Sequence, residues 1–284
     1  MALRINYNLA ASVAQRSLGA SQENYAKQAE RLSTGLRINK AGDDAAGMAV
    51  SERLKNQVRG LNQAARNAQD GISMIQTAEG AMGEAHNILA RMRELAIQAS
   101  NDTVTASDRT NMMAEFSSLY SEIDRIASAT QFNGTAVLDG SSGNGLKLQV
   151  GANKDSSGDN SITLNISPSS GFQPTRLTVD FAGGGASITT QSLASASITV
   201  LDNAVNAVST ARASLGAMQS RLESAGRSIA VASENAAAAN SRIADADIAE
   251  SMSELVRAQI LQQAGISVLA QANQAPALVL QLLR

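Results

Sequence analysis

The sequence predicts a mainly α fold: a long antiparallel coiled-coil rod of helices that carries a small β-hairpin region. Apolar residues recur at every seventh position along two long stretches, which is the pattern of helices that pack as a coiled coil. A stretch rich in Gly, Ser, Thr and Asn separates them and contains short alternating segments. Aromatic residues make up only 2% of the chain although hydrophobic residues make up 44%. This composition suits closely packed helices better than a compact globular core.

The first heptad pattern predicts one long helix that extends to about residue 100. It has two rows of apolar residues, and the second row slips by one residue in its middle. The first row is Leu54, Leu61, Ala68, Ile75, Met82, Leu89 and Ala96, and the second is Val58, Ala65, Ile72, Ala78, Ala85, Met92 and Ala99.

The second heptad pattern predicts a helix of matching length in the last third of the chain. Its main row is Leu201, Val208, Leu215, Leu222, Ile229, Ala236 and Ile243, flanked by Ala211, Met218, Ala225, Ala232, Ala239 and Ala246. We expect the two long helices to pack on each other. The alternative is a globular bundle of ordinary amphipathic helices, which would be shorter.

A third helix is predicted at about 107–129, where apolar residues recur at helical spacing. Thr105, followed three residues later by Asp108, resembles a capping box. We expect the sequence QFNG to end this helix, with Gly134 supplying a left-handed turn.

Four short segments between the long helices alternate polar and apolar residues, as strands do. They are LKLQV (146–150), SITLNIS (161–167), RLTVDF (176–181) and ASITT (186–190). They are too few for an independent sandwich, so we expect a small hairpin unit at the top of the helical rod.

The two ends of the chain are apolar but have no obvious partner except each other. Residues 3–33 show loosely helical spacing, and residues 255–283 are apolar but interrupted by glutamines. Two such helices can hardly offset about 1–2 kcal/mol of backbone entropy per residue. We therefore expect ends that are loose in a single chain and become ordered against other copies.

No group of residues supports catalysis, a metal site or a cofactor. The chain has no cysteine and a single histidine, His86, which is expected on a helix surface. The phosphate-loop and dinucleotide-binding glycine motifs are absent. Asp43 and Asp44 could bind a cation, but a carboxylate at a helix start more often caps the helix.

The net charge of −2 gives no reason to expect nucleic acid as a partner. No apolar stretch of about 18 residues could insert into a membrane, and the N-terminus lacks the apolar region of a secretory signal. These features alone would indicate a cytoplasmic protein. The remaining classes are a self-assembling structural protein, a coiled-coil adaptor and, less well supported, a membrane-active amphipathic protein. The apolar ends favour self-assembly.

Three segments resemble the bacterial flagellins: RLSTGLRINKAGDDAAGMAVSERL (31–54), EIDRIASATQFNG (122–134) and RAQILQQAGISVLAQANQAPALVLQLLR (257–284). The resemblance covers about 1–140 and 190–284 and implies a short flagellin with a minimal central region. It implies an inner-tube domain of paired helices from residues 1–43 and 245–284. Rod helices at 44–140 and 193–244 and a β-rich variable region at 141–192 complete this plan.

The resemblance also implies sites and partners. The connection between the inner-tube and rod helices, the spoke, would use Gly35 and Gly42 for its turns and Asp43 or Asp44 as a cap. The expected site residues are Arg91, Leu95 and Glu115 for a host Toll-like receptor, and Leu3, Leu9, Val13, Leu280, Leu282 and Leu283 for inner-core assembly. The last three also match leucines sensed by inflammasome receptors.

A flagellin would be secreted unfolded through the flagellar type III apparatus into an extracellular filament. Its expected partners are other copies of itself, the export apparatus, a flagellin chaperone, and the filament cap and hook-junction proteins. The hook–filament junction protein has similar ends and is the closest alternative identity.

Overall fold

The structure, a computed structural model, describes residues 8–139, 146–154, 159–164 and 186–282, and side chains up to residue 274. Five helices and two small hairpins are present in these residues. The helices are α1 (Leu9–Thr34), α2 (Ala45–Ala99), α3 (Ala106–Ala129), α4 (Gln191–Ala244) and α5 (Ile248–Leu282). The strands are β1 (Gln131–Phe132), β2 (Thr135–Ala136), β3 (Leu146–Gln149) and β4 (Ser161–Leu164). The mainly α fold class is confirmed.

The chain divides into two compact units, and α2 and α4 contribute residues to both. The terminal unit consists of the described residues of 1–56 and 235–284, and the central unit of those of 57–234. Each unit has its own kind of packing.

The central unit is built on the two predicted heptad patterns, which are confirmed. Ile75, Met82 and Leu89 of α2 are fully buried. The heptad residues of α4 that are fully buried are Leu201, Val208, Leu215 and Leu222. They form one apolar core with α3 and the β3–β4 hairpin.

Polar contacts show that α2 and α4 run antiparallel in the central unit. Arg93 Nε lies 2.6 Å from Asp202 Oδ1, and Arg212 Nη2 lies 3.6 Å from Glu79 Oε1. Further along, Ser233 Oγ lies 3.0 Å from Asn62 Oδ1. Residue numbers fall along α2 as they rise along α4, as predicted for the rod.

Helix α3 begins at the predicted capping box. Thr105 Oγ1 accepts a hydrogen bond from the Asp108 amide at 3.2 Å, and Asp108 accepts one from the Thr105 amide at 3.1 Å. The helix ends at Ala129, before QFNG. Asn133 and Gly134, with φ of 49° and 76°, instead form the two-residue turn of the β1–β2 hairpin, which requires positive φ at both positions. The predicted end of the helix before QFNG and the left-handed turn at Gly134 are therefore confirmed, and the turn belongs to this hairpin rather than to the cap of α3.

The β3–β4 hairpin pairs antiparallel, with Leu146 opposite Leu164 and Gln149 opposite Ser161. It packs on the side of α2 rather than at the top of a rod. Asn67 donates to the Gln149 carbonyl at 3.0 Å. A Cβ at Gly71 would collide with Leu148, so the glycine lets the hairpin approach the helix closely.

Two other strand predictions fared differently. Segment 186–190 is not a strand; Ala186 and Ile188 are instead buried in the central core directly before α4. An alternating pattern this short describes a packed extended segment as well as a strand. The predicted strand at 176–181 lies outside the described residues.

Candidate assembly surface

In the terminal unit, α1 and α5 pair antiparallel through small side chains. Asn8 donates to the Ala272 carbonyl at 2.8 Å, and Ser21 donates to the Ala258 carbonyl at 3.0 Å. Between these contacts, a Cβ on Gly265 would lie only 3.3 Å from Leu18 Cδ1. On α5, the residues of these three contacts and the buried Ser251 recur every seven positions and are small: Ser251, Ala258, Gly265 and Ala272.

This small-residue contact leaves many of the large apolar side chains of both helices outside, although Leu18, Leu32, Leu255 and Leu269 are half-buried. The buried residues of α1 are Ala14 and Ser21. The large apolar residues of α1 and α5 that are exposed are Leu9, Val13, Tyr25, Ile248, Met252, Val256, Ile260, Leu261, Ile266 and Val268. We call these ten residues the assembly surface. Exposed apolar side chains in this number on one pair of helices point to an interaction site.

A groove of about 960 Å³ runs between α1 and α5 on this surface. It is lined by Leu9 and Val13 from α1 and by Leu261 and Val268 from α5, with Ser17 and Ser21 at its base. Its walls are mainly apolar, so an apolar side chain or helix is the occupant that would gain most from entering it.

The structure places the predicted assembly residues unevenly. Leu9 is 62% exposed and Val13 is 46% exposed. Leu3 and Leu283 lie outside the described residues. Leu280 and Leu282 belong to α5, but their side chains are not described. The expectation of loose ends differs from the structure, in which α1 and α5 are helices that pack on each other.

The exposed residues between Ile248 and Val268 were missed as individual site residues. Their signal in the sequence is that the apolar residues of α5 lie all around the helix, whereas a helix packed on one side has an apolar stripe. An inspection of how apolar residues are distributed around α5 would have found Ile248, Met252, Val256 and Ile260, which lie four residues apart.

The spoke, residues 35–44, joins α1 to α2 and contacts the connection between α4 and α5. Gly35 ends α1 in the left-handed conformation, with φ of 71°. The Arg37 amide donates to Ala244 at 2.7 Å, and the Ala246 amide donates to Gly35 at 2.9 Å. Arg37 also places Nε and Nη2 on the Ile243 carbonyl, at 3.2 and 2.7 Å. The Arg37 guanidinium therefore satisfies a carbonyl in the last turn of α4, and its positive charge interacts favourably with the negative end of the helix dipole.

The two aspartates of the spoke have different roles. Asp44 caps α2, because its Oδ1 accepts a hydrogen bond from the Gly47 amide at 2.8 Å. Asp43 binds Lys27 of α1 at 2.7 Å and accepts hydrogen bonds from the amides of Lys40 and Asn39. The hydrogen bond from Lys27, helped by that from the Lys40 amide, lowers the pKa of Asp43 to about 2.

Gly42 lies in the turn at 41–43, as predicted, but this turn does not require a glycine. Positive φ is found among the described glycines only at Gly35 and Gly134, and a Cβ on Gly42 would meet open space. The turn around it is held by Asp43, whose carboxylate satisfies the loop amides.

The predicted receptor residues separate into a surface pair and a core residue. Arg91 on α2 binds Glu115 on α3, with Nη2 and Nε lying 2.9 and 3.0 Å from Glu115 Oε1. Its Nη1 also contacts Glu94 at 3.0 Å. Hydrogen bonds to Glu115 and then Glu94 raise the pKa of Arg91 above its usual value. Leu95 is 2% exposed and packs in the central core, so it supports this surface from below.

His86 lies on α2 and is half-buried, so it is less exposed than a surface histidine, and its Nδ1 has no hydrogen-bond partner. Among the described residues, no three His, Cys, Asp or Glu side chains are grouped to bind a metal ion. No helix in the same part of the chain is long and apolar enough to cross a membrane.

The sequence matches two family models. Residues 5–143 match the bacterial flagellin N-terminal helical region, and residues 198–283 match the C-terminal helical region. The chain is 47% identical over 281 residues to a flagellin of Halalkalibacterium halodurans, with 99% of each chain covered. It is 42% identical over 295 residues to the flagellar filament 33 kDa core protein of Treponema phagedenis, again with 99% of each covered.

A solved structure of a putative flagellar hook-associated protein from Vibrio parahaemolyticus is also similar. It covers 72% of this chain and 100% of its own, with a TM-score of 0.55 and 17% identity, which shows the fold alone. The family models and the identity over the full length show the family as well as the fold. The chain belongs to the bacterial flagellin family, whose members are structural proteins and not enzymes.

Proposed function

We propose that this chain is the repeating subunit of a bacterial flagellar filament and that it assembles through the terminal unit. The observation that carries the proposal is the assembly surface, which no other part of the described chain covers. Burying one large aliphatic side chain contributes about 1.5–3 kcal/mol. Several such residues on one unit provide the driving force for stable association between copies.

Truncation tests this proposal. Deleting the chain from Leu280 onward shortens α5 at its apolar end. We expect it to abolish filaments, seen by electron microscopy after seeding, while α2 and α4 remain helical. Filaments of normal length from the truncated protein would contradict the proposal.

The alternative is a hook–filament junction protein. The same experiment separates the two identities, because a filament subunit extends seeds indefinitely as protein is added. A junction protein would stop as a short collar.

We infer that the chain leaves the cell unfolded through the flagellar type III apparatus. The absence of cysteine supports this, since the chain cannot cross-link in transit. Its contacts between Asn8 and Ala272 are 264 residues apart, so α1 has no partner until the end of the chain is available. In cells that lack the export apparatus, the protein should accumulate inside; its appearance in the medium would contradict this.

Further partners follow from the same surface. An exposed apolar α5 requires cover before assembly, which is the task of a flagellin chaperone. The filament cap and hook-junction proteins are the neighbours that a growing filament presents at its two ends. Binding of purified α5-truncated protein to these partners should be weaker than that of the full chain.

We also propose that a host Toll-like receptor recognises the monomer around Arg91 and Glu115. The pair is half-exposed and lies across two helices, while Leu95 fixes the helix beneath it. In a pull-down with the receptor ectodomain, Arg91→Ala should weaken binding strongly, and Arg125→Ala, another exposed arginine paired with glutamate, should not. Equal binding by wild type and Arg91→Ala would contradict the proposal. Leu280, Leu282 and Leu283 are the proposed contacts for inflammasome sensors.

A further inference from the structure

Met252 differs from the other described methionines of this chain in its exposure. Its side chain is 47% exposed on the assembly surface, in line with Ile248 and Val256. Three other methionines, Met74, Met82 and Met92, are buried in the central core. The remaining described ones are partly buried: Met48, Met112, Met113 and Met218.

A methionine thioether reacts with hydrogen peroxide when the peroxide can reach its sulfur. A sulfur lone pair attacks the peroxide oxygen, the O–O bond breaks, and water leaves after proton transfer. Sulfur is oxidised to the sulfoxide and the peroxide is reduced, so the reaction is balanced without another reactant. The product side chain is polar and chiral, which disrupts apolar interfaces.

We propose that Met252 is the most peroxide-sensitive of the described methionines in the unassembled subunit and that its sulfoxide blocks self-association. The second half of this inference rests on the proposed function. The reason is that Met252, the exposed one among the described methionines, also lies on the assembly surface. Water must leave this surface when two copies associate. A sulfoxide buried there would lose its hydrogen bonds to water without gaining partners.

Association should in turn slow the oxidation of Met252. A side chain buried between two copies is out of reach of peroxide in solution. Oxidation of Met252 would therefore occur mainly in free subunits, and the interface within a filament would stay unoxidised.

The first test measures the chemistry alone. Monomeric protein is treated with hydrogen peroxide, and sulfoxide is followed peptide by peptide with mass spectrometry. We expect Met252 to oxidise several-fold faster than the half-buried Met112, Met113 and Met218, and several-fold more slowly in filaments than in monomers. Equal rates at Met252 and at Met113 would overturn the assignment.

The second test measures assembly. Met252→Leu keeps an apolar side chain of similar size and should form filaments with or without peroxide. Met252→Gln imitates the polarity of the sulfoxide and should raise the protein concentration needed for filaments about tenfold or more. The matched control Met113→Leu should stay peroxide-sensitive.

Two outcomes would count against the inference in different ways. Loss of filaments by peroxide-treated Met252→Leu, to the same extent as wild type, would overturn the role of Met252. Absence of filaments from untreated wild-type protein would instead contradict the proposed function, and with it the claim that the sulfoxide blocks assembly. The claim that Met252 oxidises fastest would still be decided by the first test.

Discussion

The terminal and central units use the same seven-residue spacing with opposite results. In the central unit the repeating residues include many large ones beside the alanines, and the fully buried side chains include Phe116, Met82 and Leu89. In the terminal unit the most buried residues of α1 and α5 are small, such as Ser21 and Ala258, and ten large apolar ones are exposed. The comparison teaches that spacing determines which faces of two helices meet. Side-chain size determines whether that contact buries the large apolar residues of the helices or leaves them exposed.

This difference assigns a task to each unit. The central unit buries its large apolar residues, with Ile97, Leu193 and Val231 as the exposed exceptions in its described part. It is therefore expected to be stable in a single chain. The terminal unit gains little from its own contact and is expected to gain most of its stability from other copies.

The largest expected effect comes from emptying the central core. Leu89→Ala removes a fully buried side chain and should lower the free energy of unfolding of the central unit by about 2–5 kcal/mol. Hydrogen exchange of α3 amides in urea would measure this unit specifically. The control is Ile97→Ala on the same helix, which is 46% exposed and should change the value by less than about 0.5 kcal/mol. Similar losses in both variants would contradict the claim that the buried heptad residues hold the central unit together.

A smaller effect is expected from enlarging a small residue between α1 and α5. Ser21→Leu would force the helices apart and remove the hydrogen bond to Ala258, at a cost of about 1–3 kcal/mol to their pairing. Hydrogen exchange of α5 amides would report the loss. Gln22→Leu, at the next position of α1 and exposed, is the matched control and should leave exchange unchanged. If Ser21→Leu also exchanges at the wild-type rate, the small-residue contact is not what holds the pair.

The smallest effect concerns the spoke and depends on pH. The pKa of Asp43 is about 2 in the folded chain against an ordinary value of 3.8, so its carboxylate stabilises the fold above about pH 4. That contribution should disappear as the pH falls through 2, because the unfolded chain takes up the proton first. NMR titration of the Asp43 carboxyl group would measure the pKa directly.

The partner of Asp43 supplies the control. In Lys27→Gln the pKa of Asp43 should rise toward its ordinary value, since the hydrogen bond from Lys27 is the main cause of the shift. The stability of the terminal unit should then vary less between pH 4 and pH 2. An unchanged pKa in Lys27→Gln would show that the loop amides alone hold the carboxylate.

The long helices could be predicted because large apolar residues sustained at heptad spacing are rare outside helices that pack along their length. The burial of Ile75, Leu89 and Leu215 follows directly from that pattern. The cap at Thr105 was equally readable, since a hydroxyl and a carboxylate three residues apart satisfy specific amides. The sequence offered both Asp43 and Asp44 as the cap of α2. The hydrogen bond that Asp44 accepts from the Gly47 amide was needed to identify Asp44 as the cap.

The candidate site was harder to predict. Serine, alanine and glycine are common on exposed faces too, so Ser251, Ala258 and Gly265 gave no sign that they are the contact face of α5. Leu95 looks like a site residue in sequence, but only packing places it in the core. The contact of Arg37 with Ile243 joins residues 206 positions apart, and no local pattern carries such information.

The most direct test of the assembly surface places the same charge on each unit. Ile260 of the terminal unit is 60% exposed and Val231 of the central unit is 57% exposed, so Ile260→Asp and Val231→Asp form a matched pair. Seeded filament growth, measured by sedimentation and electron microscopy, should stop in Ile260→Asp because an unpaired charge would be buried between copies. Val231→Asp should still form filaments. Normal filaments from Ile260→Asp, or their loss only in Val231→Asp, would contradict the claim that the terminal unit provides the assembly surface.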